Sequence, residues 1–223
     1  MADPAGDRDS RTVKRAVRQA VVLAVVMMLS LSLYLAVLWW RGQEARITTQ
    51  TAWDRAIPFR PAWVWVYLLP YLLGPLIAAC LTRQTFAWYV RRGLVLVLIS
   101  VVFFAILPTK TVRPAATDLG DGPTAQLYRN MVAIDGPAAN AAPSLHVSLT
   151  CLLAWALIRD FPRWWAVCLT VTGIVVVWLS TLLTWQHHLI DVATGILLGS
   201  TLAVPWPRGR LTRKEDPYRP VAP

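Results

Sequence analysis

Three histidines are all the chain contains, and each stands at the end of a long apolar run. His187 and His188 lie in Ser180-Thr-Leu-Leu-Thr-Trp-Gln-His-His-Leu-Ile-Asp191, and His146 closes Pro143-Ser144-Leu145-His146. His187 and Asp191 are four residues apart, so a helix starting there would carry both on one face. A carboxylate that accepts from one imidazole nitrogen fixes the tautomer and makes the other nitrogen more nucleophilic. His188 is three residues from Asp191 and competes for the same role, and an interfacial pair beside a helix-terminal Asp is the plain structural alternative. Pro143 and Ser144 are ordinary helix-start residues, yet a helix start also directs free N–H groups at an anion. His146 would then be placed to protonate a departing oxygen. Arg113, in Thr111-Val-Arg-Pro114, offers a planar fork that matches phosphate oxygens, and Lys110 is a second, weaker cation. Nucleophile, carboxylate, general acid and phosphate ligands together make a parts list for phosphoryl transfer without an obligatory metal.

Other classes fit less well. His146, His187, His188 and Asp191 could in principle hold zinc, but the chain has no His-Glu-x-x-His, and a multi-histidine di-iron enzyme needs more histidines. No cofactor is expected. The formal charge of +10 does not imply nucleic acid, because the basic residues gather at the ends of apolar runs and no recognised module is present. Cys80, Cys151 and Cys168 all lie in apolar segments and form no metal or disulfide pattern. A scaffold that has lost activity and a proton-relaying transporter remain alternatives, the latter requiring charges within the spans rather than at their ends.

Placing these residues is a task for membrane helices. Hydrophobic residues make up 56% of the 223, with 12 Trp. An all-α, polytopic bundle is expected, with six segments near bilayer length at 19–40, 62–82, 93–108, 144–159, 163–184 and 188–206. Residues 1–18 read as a basic, disordered tail, 19–206 as the membrane domain and 207–223 as a second basic tail. The first apolar run is too long for a signal peptide core and is followed by Arg41, so it is expected to be retained as a span. With the N-terminus inside, fifteen Lys and Arg fall on the inner side and seven on the outer. The positive-inside rule then puts both termini in the cytoplasm and Arg113, His146, His187 and Asp191 at the outer face. Trp39, Trp40, Trp63, Trp65, Trp164, Trp165 and Trp206 mark span ends. Of the outer loops, 41–61 suggests a short interfacial helix, whereas 109–143 is rich in Gly, Pro and Ala and shows no strong periodicity. Gly195-x-x-x-Gly199 is expected to pack the last span against a neighbour.

These motifs resemble the type 2 phosphatidic acid phosphatase (PAP2) superfamily of membrane lipid phosphatases and phosphotransferases. Its pattern is Lys-x6-Arg-Pro, then Pro-Ser-x-His, then Ser-Arg-x5-His-x3-Asp. Arg113-Pro114, Pro143-Ser144-Leu145-His146 and Ser180, His187 and Asp191 match it. The resemblance implies that His187 is a phosphohistidine nucleophile, Asp191 its partner and His146 the acid-base residue. Arg113, Ser144 and Ser180 would be phosphate ligands. Two family cations are replaced, by Ile106 and Thr181. Thr184-Trp-Gln-His187 through Asp191-Val192, with Ile57-Pro58-Phe59-Arg60-Pro61 through Tyr67, is more similar to the inositol phosphotransferase branch, the inositol phosphorylceramide synthase type. That likeness implies a lipid phosphate substrate drawn from the bilayer and a polar alcohol acceptor such as inositol, in a multi-pass plasma-membrane protein.

Overall fold

A computed structural model describes residues 4–114 and 119–204. The bundle has helices α1 (Pro4–Arg41), α2 (Val64–Ala79), α3 (Arg83–Ile106), α4 (Pro123–Asp135), α5 (Leu145–Asp160), α6 (Trp164–Leu183) and α7 (Leu189–Ala203). Two two-residue strands, β1 (Ile47–Thr48) and β2 (Thr109–Lys110), pair in parallel and tie the two long loops together at one end. The all-α membrane architecture expected from the sequence is present.

Among the described residues, α1, α3, α6 and the 61–79 segment are long and apolar enough to cross a bilayer. Many of their apolar side chains are exposed, Leu29, Leu98 and Leu169 each more than half. Helices α5 and α7 have only 16 and 15 residues, about 24 Å of rise or less. Helix α5 can be short because it is the central helix: Val147, Ser148, Cys151, Leu152 and Ala156 are all buried. Its Leu152 and Ala156 join Leu23 of α1, Ala78 of α2, Phe86 and Leu96 of α3 and Ala203 of α7 in the main core.

Several boundaries differ from expectation. Helix α1 begins at Pro4, so residues 4–18 continue the first span as helix instead of forming a disordered tail. From Ala5 to Arg41 the chain has one Gly and no Pro, and nothing stops the helix as it leaves the apolar region. The 83–92 stretch, expected as a loop, is the start of α3. Thr82 caps it by accepting from the Thr85 N–H at 3.4 Å, and Asp160 of α5 accepts from the Thr82 N–H at 2.6 Å. Loop 41–61 carries short 3-10 turns, Asp54–Ala56 and Pro61–Trp63, rather than an α-helix. The 109–143 loop contains α4. The end of the sixth expected span, Trp206 and the 207–223 tail lie outside the described residues.

Small residues on α7 bring it against α5. A Cβ on Gly195 would stand 2.8 Å from the Ser144 carbonyl oxygen, and one on Gly199 would stand 2.6 Å from that of Ser148. The backbones approach to a distance that only glycine permits, as the Gly-x-x-x-Gly spacing predicts.

Candidate functional site: a histidine cluster at one end of the bundle

The Ser144 N–H donates to the Asp191 carbonyl at 3.1 Å, stapling the start of α5 to the start of α7. Ser144 is fully buried and caps α5, its Oγ accepting from the Val147 N–H at 3.3 Å. His146 follows in the first turn of α5. Its ring stacks on Tyr67 at 4.4 Å with the planes 8° apart, and Nδ1 lies 3.3 Å from the Tyr71 hydroxyl. The Nε2 atom is buried and makes no hydrogen bond within the protein.

His187 stands on a turn, not on a helix face as its spacing from Asp191 suggested. Helix α6 ends with the Trp185 N–H on Leu182 O and the Gln186 N–H on Thr181 O, both at 3.0 Å, the paired bonds of a Schellman ending. The left-handed residue of that ending is Trp185, with φ +51°, where glycine is usual. This conformation costs about 1–2 kcal/mol in a residue with a Cβ. Trp185 is held there by its indole N–H on Ile57 O at 3.2 Å and by Phe59, 5.5 Å away. The His187 N–H also donates to Thr181 O, at 3.1 Å. Thr181 thus serves the turn through its carbonyl, while its hydroxyl bonds to Trp178 O.

Asp191 is the third residue of α7 and fully buried. Its Oδ2 accepts the His188 N–H at 2.8 Å, a capping interaction that aims the carboxylate back over the turn. The same oxygen is 3.7 Å from His187 Nδ1 and 4.0 Å from His188 Nδ1, ion-pair distances too long for hydrogen bonds. The two histidines differ in their other contacts. His188 Nδ1 is 2.8 Å from the Thr49 hydroxyl, whereas His187 Nδ1 makes no hydrogen bond. His187 is also the more exposed, and both histidines line a small pocket with Gln50, Asp54 and Trp185.

Arg113 reaches the same end of the bundle. It forms an ion pair with Asp135, the last residue of α4, and Asp135 also accepts from the Tyr34 hydroxyl at 2.6 Å. Burial works against the guanidinium charge, but the Asp135 carboxylate outweighs it and holds the Arg113 pKa above its ordinary value. Arg113 Nε and Nη1 are buried donors with no hydrogen-bond partner among the described residues. Helix α4 is fixed by Tyr128, whose hydroxyl donates to Thr184 O at 2.8 Å and accepts from Gln186 at 3.1 Å.

Two expected phosphate ligands are placed differently. The Ser180 side chain is fully buried and turned back into α6, donating to Val177 O. Lys110 is exposed on β2 with no contact to the histidines. Sequence reasoning passed over Asp135, Tyr34, Tyr71, Thr49 and Asp54. Tyr67 and Tyr71 do leave a signal, as two polar-tipped rings spaced i, i+4 in an apolar helix.

The arrangement supplies an imidazole beside a buried carboxylate, a second imidazole with a free nitrogen, and an arginine with two free donors. No curated protein and no solved structure matches the chain. A family model described as the PAP2 superfamily does match, over residues 32–204, which takes in every residue of the cluster. The chain therefore belongs to the PAP2 superfamily.

Proposed function

We propose that the protein is a membrane lipid phosphate phosphatase or phosphotransferase that works through a phosphohistidine. The observation that carries this reading is the main-chain staple from Ser144 to Asp191, which brings His146 to His187 and its carboxylate. His187 attacks phosphorus through Nε2, and the bond from phosphorus to the leaving oxygen breaks. Asp191 stabilises the imidazolium that forms, and His146 gives a proton to the departing oxygen. In the second half, water or an alcohol attacks the phosphohistidine, the P–N bond breaks, and His146 takes up the proton. Arg113 binds phosphate oxygens through Nε and Nη1, and the Ser144 hydroxyl is a further ligand. No bound cofactor takes part.

The substrate class is a lipid phosphate or phosphodiester that enters sideways from the bilayer. Tyr71, 44% exposed on α2 and within reach of His146, marks a lateral way in. The acceptor is a polar alcohol of the inositol type, in keeping with the motif likeness around Thr184–Val192 and with Thr181 in place of a family cation. The positive-inside rule puts this chemistry on the extracytoplasmic side of the plasma membrane, with both termini in the cytoplasm. Purified protein given a labelled phospholipid, with and without inositol, tests the reading. Inositol-dependent transfer is expected, and release of free phosphate alone would leave a hydrolase. No turnover across a panel of lipid phosphates would overturn enzyme activity in favour of an inactive scaffold.

A further inference from the structure

The end of the bundle opposite the histidines holds an open cleft of about 430 Å³ lined by Arg83, Gln84, Ala87, Trp88, Arg91 and Arg159. Arg83 opens α3, and Arg159 lies in the last turn of α5, whose first turn carries His146. Among the described residues none of the three arginines has an acidic partner. Arg91 bonds through Nε only to Ala87 O, at 3.1 Å. The nearby carboxylate, Asp160, is occupied by the Thr82 N–H and by the hydroxyls of Thr82 and Thr85. Gln19 of α1 bonds to Leu81 O at 3.3 Å, so Arg15 and Arg18 on the preceding turn of α1 approach the same level. Charges this close repel one another unless an anion sits among them.

The surface below the cleft says which anion. Residues 83, 87 and 91 continue down one face of α3 into Leu94, Val95, Leu98 and Val102, all exposed and the last two more than half. Half-exposed Trp155 lies one turn before Arg159 on α5, at the boundary position that tryptophan favours. A cationic cleft running into an apolar stripe fits a head group followed by acyl chains. We propose that this cleft binds an anionic phospholipid of the adjacent leaflet, with the phosphate between Arg83, Arg91 and Arg159 and a chain along Leu94 to Val102. This site is separate from the histidine cluster and does not depend on the reaction proposed there.

The test is thermal stability of the full chain in phosphatidylcholine nanodiscs with increasing phosphatidylglycerol, for the wild type and for an Arg83→Gln, Arg91→Gln, Arg159→Gln variant. The wild type should gain stability with phosphatidylglycerol, and half-saturation should move up about fivefold for each arginine removed. Arg55→Gln, an exposed arginine at the histidine end of the bundle, should keep the wild-type response, which separates this site from the histidine cluster. Should the triple variant not fold, Arg159→Gln alone is read in the same assay. An unresponsive wild type, an unchanged response in the variant, or full stabilisation by inorganic phosphate in pure phosphatidylcholine would each overturn the proposal.

Discussion

The Ser144 N–H and the Asp191 carbonyl meet at 3.1 Å, and Gly195 packs against the carbonyl of the same Ser144. One residue thus fixes the start of α7 with its N–H and the spacing of α7 from α5 with its carbonyl oxygen. Gly195→Ala puts a methyl 2.8 Å from that oxygen and 3.0 Å from Val147 Cβ, and neither neighbour is a flexible side-chain tip. The helices must separate, with a loss of about 1–3 kcal/mol and of most activity. Gly173→Ala, which meets nothing within 4 Å, should leave both unchanged. Thermal unfolding and turnover of the two variants provide the check, and equal behaviour would sink the argument.

His146 has no carboxylate beside it, and its Nδ1 contact is the Tyr71 hydroxyl at 3.3 Å. Tyr71 therefore positions the ring, fixing which nitrogen carries the proton, while stacking on Tyr67 fixes its plane. Tyr71→Phe keeps the ring and removes the hydroxyl, so kcat should fall about tenfold with KM nearly unchanged. The pH–rate profile should shift as well, because the tautomer is no longer set. An unaltered profile would reduce Tyr71 to a packing role.

Arg113 is held by Asp135, 22 residues along the chain, and Asp135 by Tyr34, 101 residues away. Arg113 and Asp135 side chains are 9% and 18% exposed, so the pair is largely desolvated. Asp135→Ala leaves a buried guanidinium uncompensated and should cost roughly 3–5 kcal/mol. Tyr34→Phe removes one hydrogen bond to a carboxylate, worth about 1.5–3 kcal/mol. Denaturation midpoints would rank the two, and the reverse order would show that Tyr34, not Asp135, carries the support.

The reach of the sequence follows from which interactions are local. The four bilayer-length helices were legible because each is a continuous apolar run, and the Gly195–Gly199 face because its spacing is one helical turn. Helix α4 was not, since a single 13-residue amphipathic helix lies among Gly- and Pro-rich neighbours. Gly122-Pro123 at its start and Gly136 after its end were the available marks. His187 Nδ1 and Asp191 Oδ2 lie 3.7 Å apart for a reason other than the one the spacing gave. Asp191 reaches back from the third position of α7 over a turn that Trp185 creates, so no helix face is shared. Asp135 and Tyr34 leave no trace in any local pattern, because the contacts that matter join distant parts of the chain.

Asp54 ties the 41–61 loop to the site. Its Oδ1 accepts the Leu189 N–H at 2.8 Å, and Oδ2 accepts the Thr51 N–H and hydroxyl at 2.7 and 2.6 Å. Burial pushes this carboxyl up, but the three hydrogen bonds outweigh it and hold its pKa below the ordinary carboxylate value. A depressed carboxylate contributes stability above its unfolded pKa, and the contribution is lost as pH falls through the folded value. Wild-type thermal stability should therefore decline on acidification below the ordinary carboxylate range. Asp54→Asn should be less stable at neutral pH and lose less on acidification, and parallel curves for the two would count against the role.

His187 and His188 are nearly equidistant from Asp191 Oδ2, at 3.7 and 4.0 Å, so distance alone does not assign the nucleophile. The assignment rests on Thr49, which occupies His188 Nδ1 and leaves Asp191 as the one group facing His187 Nδ1. A side chain tied to the loop is poorly placed to swing onto phosphorus; both imidazoles line the pocket with Gln50 and Asp54, and His187 is the more exposed of the two, 12% against 5%. His187→Ala should lose turnover by at least about a thousandfold and form no acid-labile phosphoenzyme. His188→Ala should still form it, with a modest fall in rate because the loop loses its anchor at Thr49. Thr49→Val should reproduce that modest fall. Phosphoenzyme trapped on His187→Ala but absent from His188→Ala would reverse the assignment and make His188 the nucleophile.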